Sequence, residues 1–299
     1  MIERVTYAGW PNCYRLTDGR IEAIATTDIG PRIVRLAFVN GENAFGALEE
    51  QLGLTGGSEW RLYGGHRFWH APEAMPRSYY PDNEPVHVQA EGDTLVLTPP
   101  LEKTTGIQKI LTVSLTSGHF EITHTLRNEG MWTIQIAPWA LSVMAINGVA
   151  IVPHPQAPDP KALLPNRTLM LWPYTHMADP RWHWGNRFVT LRQDPKAGPT
   201  KFGLSATDGW CAYWNQGLLF IKRFDYQPGA TYPDNGCTVE CYTNERFLEL
   251  ETLGPLAWLE PGASVSHVER WYLFSDVRMD ITNEDDIASA LAPVLKQTA

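Results

Sequence analysis

An all-β fold, a large antiparallel β-sandwich, is what this 299-residue sequence predicts, on three observations. Short segments of alternating or continuous apolar character recur along nearly the whole chain, as strands with one or two buried faces require. Turn chemistry separates them, drawn from 24 Gly and 23 Pro, because these residues supply the positive or fixed φ that tight turns need. Helix signals are few. No linker, charge block or repeat divides the chain, so one domain over residues 1–299 is expected.

In chain order the expected strands are 20–26, 33–39, 86–90, 94–98, 107–115, 120–127 and 133–137. They continue at 149–152, 168–172, 202–206, 210–214, 218–224, 238–243, 247–252 and 265–274. The breaks between them read Thr17-Asp18-Gly19, Asn40-Gly41, Glu91-Gly92-Asp93, Ser117-Gly118, Asn215-Gln216-Gly217 and Glu260-Pro261-Gly262. A C-terminal helix is expected after Asn283, which can cap it. Glu284, Asp285 and Asp286 then fill its first turn, and Ile287, Leu291 and Leu295 make an apolar stripe, with Pro293 ending or kinking it. A second helix candidate is 44–54. The Pro-rich stretch 152–165 reads as a long surface loop.

Composition narrows the function. The 33 acidic residues outnumber the 24 Lys and Arg, for a net charge of −9. A phosphate polymer or anionic bilayer needs a basic face, so neither nucleic acid nor membrane is an expected partner. No run of about 18 uncharged apolar residues occurs, and the first residues form no apolar leader, so a cytoplasmic protein is expected. Cys13, Cys211, Cys237 and Cys241 then read as reduced core thiols. Twelve Trp is a large number for the rarest residue.

The densest chemistry lies in Gly64-Gly65-His66-Arg67-Phe68-Trp69-His70-Ala71-Pro72-Glu73. If extended, His66, Phe68 and His70 share one face and Arg67, Trp69 and Ala71 the other. Polar groups beside a ring suit a polyhydroxylated ligand. A metal alternative would use His66, His70 and Glu73, although no third ligand stands at a defining spacing. The second segment, 238–255, carries Glu240, Glu249 and Glu251. Leu248 and Leu250 mark the core side of their strand, so Glu249 and Glu251 lie together on the opposite face. Two carboxylates about 7 Å apart on one strand can serve one sugar, and their repulsion raises one pKa, which suits a base. A solvated face is the plain alternative. Further aromatic and basic clusters bring Trp172, Trp184, Arg187 and Lys222 forward, because pyranose C–H faces stack on rings while hydroxyls take polar partners.

These residues, with Asp28-Ile29-Gly30-Pro31-Arg32-Ile33 and the Leu126-Arg127-Asn128-Glu129-Gly130 turn, resemble the galactose mutarotase-like (aldose 1-epimerase) superfamily. The segments GGHRFWHAPE, LWPYT, FLELETLGPL, LEPG and ERWYLF resemble its DUF4380-like branch. The resemblance implies a β-supersandwich with a sugar-sized groove, a late glutamate base at Glu249 or Glu251, and a histidine acid. Where mutarotases carry a His-x-Tyr-Phe/Trp-Asn-Leu motif, this chain reads Ala137-Pro138-Trp139-Ala140-Leu141. Either His66 or His70 takes the acid role from another strand, or catalysis is absent. Arg32, Arg67, Trp69, Glu73, Trp139, Trp172, Trp184, Arg187, Lys222 and Glu240 are the expected sugar contacts. An aldose 1-epimerase-like enzyme without a cofactor or metal, acting on a small sugar or oligosaccharide, is the leading expectation. The alternatives are a non-catalytic sugar-binding or sensing protein, and another carbohydrate-active reaction, lyase or hydrolase.

Overall fold

The computed structural model describes residues 1–157, 159 and 161–298. Two antiparallel sheets lie face to face. The first runs, strand by strand, Ile2–Tyr7, Trp10–Thr17, Ile21–Thr26, Arg32–Phe38, His66–Ala71, Ile134–Met144, Leu248–Leu253, Val239–Thr243, Thr200–Leu204 and Leu169–Leu171. Ala257–Leu259 joins it at the start of Ile134–Met144. The second runs Trp182–Trp184, Phe188–Arg192, Val149–Pro153, Trp210–Asn215, Leu218–Phe224, Ser264–Phe274, His119–Asn128, Ile107–Thr116, Thr94–Thr98 and His87–Glu91.

Period-2 alternation decides which side chains meet between the sheets. From the first sheet Ile33, Met144, Phe202, Leu248 and Leu250 point inward; from the second come Leu111, Phe220 and Trp271. Burying one such leucine stabilises by roughly 1.5–3 kcal/mol, so a one-residue slip of the glutamate strand would cost its inward leucines and bury its glutamates instead. Register is thereby fixed: Glu249 lies opposite Val143 and Tyr242, and Glu251 opposite Leu141 and Glu240.

The C-terminal helix spans Glu284–Gln297. Asn283 caps it by accepting from the Asp285 and Asp286 amides at 2.9 and 3.4 Å. Ile287, Leu291 and Val294 are buried against Phe188, Trp210 and Ile221 on the outer face of the second sheet, with Leu295 at their margin. Pro293 lies inside the helix, which runs one turn past it. The helix expected at 44–54 is replaced by a 3-10 turn at Glu49–Gln51 and bridges from Phe45 and Ala47. The first two strands, Ile2–Tyr7 at the sheet edge and Trp10–Thr17 beside it, went unpredicted, because Ala8-Gly9 and the polar 3–4 pair interrupt their alternation. Positions 158 and 160 of the Pro-rich loop lie outside the described residues; beyond Pro153 the described part holds no helix or strand.

Gly64 and Gly65 set the entry of the His66–Ala71 strand. Their φ values are +104° and +70°, and a Cβ on either would stand 2.3 Å from a backbone carbonyl oxygen, Gly46 O or Ile33 O. Only glycine meets both demands. Gly65→Ala is expected to destabilise the protein by about 2–4 kcal/mol in urea denaturation, without a change in m-value.

Candidate functional site

The outer face of the first sheet carries a cavity of about 720 Å³, within the roughly 300–1,000 Å³ typical of small-molecule sites. Its floor comes from four strands whose outward positions coincide: Arg67 and Trp69, Trp139 and Leu141, Glu249 and Glu251, and Lys201. Trp60, Tyr79, Trp172 and Tyr174 form walls. Trp69 packs edge-on to Trp139 and Tyr79, with ring centroids 5.4 and 4.9 Å away.

Charge on this floor is paired side by side. Arg67 Nη1 donates to Glu249 Oε1 and its guanidinium lies 4.4 Å from the Trp69 ring centre. Glu251 Oε2 accepts from Trp139 Nε1 at 2.9 Å and from Lys201 Nζ at 3.3 Å. Lys201 Nζ also stands 2.6 Å from Glu240 Oε2, and 4.5 and 4.8 Å from the Trp172 and Trp139 ring centres. The ammonium is thus held between two carboxyls and two indoles. Burial opposes its charge, but Glu240 and then Glu251 outweigh that and hold its pKa well above the usual lysine value.

Three carboxyls, Glu240, Glu249 and Glu251, therefore share two cations. Burial pushes Glu240 above the ordinary carboxylate range, only partly opposed by Lys201. Burial, opposed by Lys201 and assisted by Glu249, raises Glu251 to about 7. Carboxyls with pKa values pushed apart, one of them near neutrality, are the arrangement that proton transfer uses. Burial raises the Tyr79 phenol, helped by its hydrogen bond to Glu73, and it raises Tyr174 as well, so both hydroxyls remain donors at neutral pH. Among the described residues Arg67 Nε and Trp69 Nε1 are buried without a hydrogen-bond partner. Unsatisfied buried donors in a cavity wall are groups that a ligand oxygen would satisfy.

Of the expected site residues, the cavity gathers Arg67, Trp69, Glu73, Trp139, Trp172, Glu249 and Glu251, with Glu240 just beyond Lys201. The histidines require correction. His66 and His70 are buried on the opposite face of their strand, the one that Phe68 marks as core. His66 Nε2 meets His124 Nε2 at 2.7 Å and its Nδ1 meets Ser142 Oγ at 2.8 Å. His70 Nε2 bonds Glu102 Oε2 at 3.0 Å. Neither lines the cavity.

Arg32, opposite Arg67 on the neighbouring strand, is buried beside the floor, donating to the Leu62 and Gly64 carbonyls at 2.8 Å, and so pins the turn before the His66 strand. Lys222 points between the sheets to Glu269 Oε1 at 2.9 Å and the Leu250 carbonyl at 3.1 Å. Trp184 stacks on Trp182 with centroids 4.8 Å apart. Arg187 pairs with Asp285 of the C-terminal helix at 2.6 Å. These four contact structure and not the cavity.

The metal alternative separates likewise, since Glu73 lines the cavity and both histidines face away. Among the described residues, the metal-ligating side chains that converge are His66, His124 and Glu269. They are already hydrogen-bonded: Glu269 accepts from Lys222, Thr252 and Trp271, and both His66 nitrogens have partners.

Lys201, Tyr79, Tyr174 and Trp60 went unpredicted. The strand expected at 202–206 begins two residues too late, leaving Lys201 outside it. Its alternation with inward Phe202 and Leu204 was the available signal.

With this geometry in place, comparison with solved structures places the fold. A galactose mutarotase-like protein from Lactobacillus casei aligns at a TM-score of 0.57 and 12% identity, over 88% of this chain and 100% of that one. A galactose mutarotase-like protein from Clostridium acetobutylicum aligns at 0.56 and 11%, over 92% and 98%. A galactose mutarotase related enzyme from Lactobacillus acidophilus aligns at 0.54 and 10%, over 88% and 98%. The chain has the galactose mutarotase-like fold. No family model and no curated protein matches it, so the likeness to the DUF4380-like branch stands on the quoted motifs alone.

Two outcomes follow for the charged floor. Lys201→Met leaves buried carboxyls unpaired and is expected to cost about 3–5 kcal/mol in chemical denaturation, much of it recovered in Lys201→Met with Glu240→Gln. Glu251 ionises at about 7 in the folded protein against an ordinary 4.5. Between those values the folded state keeps a proton that the unfolded chain has lost. Its contribution to stability therefore falls as pH rises through that window. Glu251→Gln should flatten this part of the stability–pH curve.

Proposed function

We propose that the Trp-lined cavity binds a free sugar and exchanges its anomers, with Glu251 as the proton-transfer base. The observation that carries this is the placement of Glu251 on an aromatic cavity floor beside the unpartnered donors of Arg67 and Trp69, where burial raises its pKa to about 7. Glu249, paired with Arg67, is the second candidate. In the proposed step Glu251 takes the anomeric hydroxyl proton as the bond from the anomeric carbon to the ring oxygen breaks, and the ring oxygen takes a proton from water in the cavity. Rotation and the reverse transfers close the other anomer. Arg67 and the Trp69 indole N–H, whose buried donors lack partners, would hold ring hydroxyls. Mutarotase names among structures of this fold support a carbohydrate ligand by analogy.

One observation favours sugar binding without chemistry: among the described residues no histidine lines the cavity. NMR exchange spectroscopy of α and β anomers across a panel of free aldoses separates the two. The expected result is faster exchange for at least one aldose, with a rate that rises through about pH 7 as Glu251 ionises and then levels off. Glu251→Gln should lower it by about 10²-fold or more. Sugar binding with exchange no faster than in buffer would establish the binding-only role.

A further inference from the structure

The cavity continues past the Trp139 and Trp172 rings. A second hollow of about 350 Å³ adjoins it, and Glu73, Trp139 and Trp172 line both spaces. Its volume is large enough for a ring and not merely for a bridging water. The remaining wall is Ala74, Met75, Asp234 and Glu240.

Glu240 is fully buried, and neither of its carboxyl oxygens has a hydrogen-bond partner. Its Oε2 stands 2.6 Å from the Lys201 ammonium as an ion-pair contact, which leaves Oε1 as the oxygen open to a ligand donor. A buried polar group of this kind costs stability unless something bonds to it. Glu73 and Asp234 add further acceptors, and no Lys or Arg lines the hollow. That lining disfavours a phosphate or a uronate. A metal ion is disfavoured too, because the Lys201 ammonium occupies the place between Glu240 and Glu251. Hydroxyl donors carried on a ring that can meet indole faces fit it.

We infer, resting on the sugar-binding reading above, that the ligand is a disaccharide, with one ring in the main cavity, its partner ring in the hollow against Glu240 and Asp234, and the linkage crossing beside Trp139 and Trp172. The Glu240 carboxyl would accept from hydroxyls of that second ring.

Isothermal titration of the full chain with glucose, galactose, maltose, cellobiose and lactose tests it. At least one disaccharide is expected to bind about tenfold or more tightly than its component monosaccharides. Ala74→Phe fills the hollow and should bring that ratio close to one. Asp234→Asn, which retains access to the left-handed backbone (φ +49°) found there, should lower it as well. Monosaccharide binding with no disaccharide advantage would overturn the two-ring ligand while leaving the sugar-binding reading intact. A ratio that neither variant changes would remove the hollow from the site. No binding by any of the five sugars would overturn both.

Discussion

Two cations, Arg67 and Lys201, hold three buried carboxyls on one face of a sheet, and the organisation of the site follows from that imbalance. Charges taken out of water need close partners of opposite sign. Lys201 accordingly sits between Glu240 and Glu251, and Arg67 against Glu249. With fewer cations than carboxyls, burial dominates at Glu240 and Glu251 and pushes both above the ordinary carboxylate range. The indoles of Trp69, Trp139 and Trp172 serve two ends there: they lie against the cations and they wall the cavity.

The inner face of the same strands shows the same physics turned to structure. Burial holds His66 well below the ordinary imidazole range, His124 down to about 3 and His267 to about 4, so all three are neutral. Their tautomers follow from their partners. His124 Nδ1 donates to the His267 carbonyl, so its Nε2 accepts from His66 Nε2, and His66 Nδ1 accepts from Ser142. Lys222 closes the network between Glu269 and the Leu250 carbonyl, tying the second sheet to the back of the glutamate strand. Histidines fixed in this way lie behind the floor and do not reach the cavity.

Much of this was legible before any coordinates. Leu248 and Leu250 marked the core side of their strand, and Glu249 and Glu251 fell on the other face as alternation requires. The same rule applied to His66-Arg67-Phe68-Trp69-His70 separates Arg67 and Trp69 from both histidines, with Phe68 naming the buried side. The histidine acid was expected against that rule because the residue type suited the chemistry. Trp content misled in part: Trp60, Trp69, Trp139 and Trp172 line the cavity, Trp132 and Trp258 lie exposed, and the other six fill apolar clusters.

The sequence by itself determined the class of fold, most strand positions, the C-terminal helix with its Asn283 cap, and the face on which each strand residue lies. These depend on local alternation and turn chemistry, which operate over a few residues. Only the tertiary structure decided which strands stand side by side. Residues 67, 139, 201, 240 and 251 come from five strands spread over most of the chain, and their meeting depends on sheet order, set by packing across the whole core. Lys201 acquires its role, and Glu251 its neutral-range ionisation, from that encounter alone.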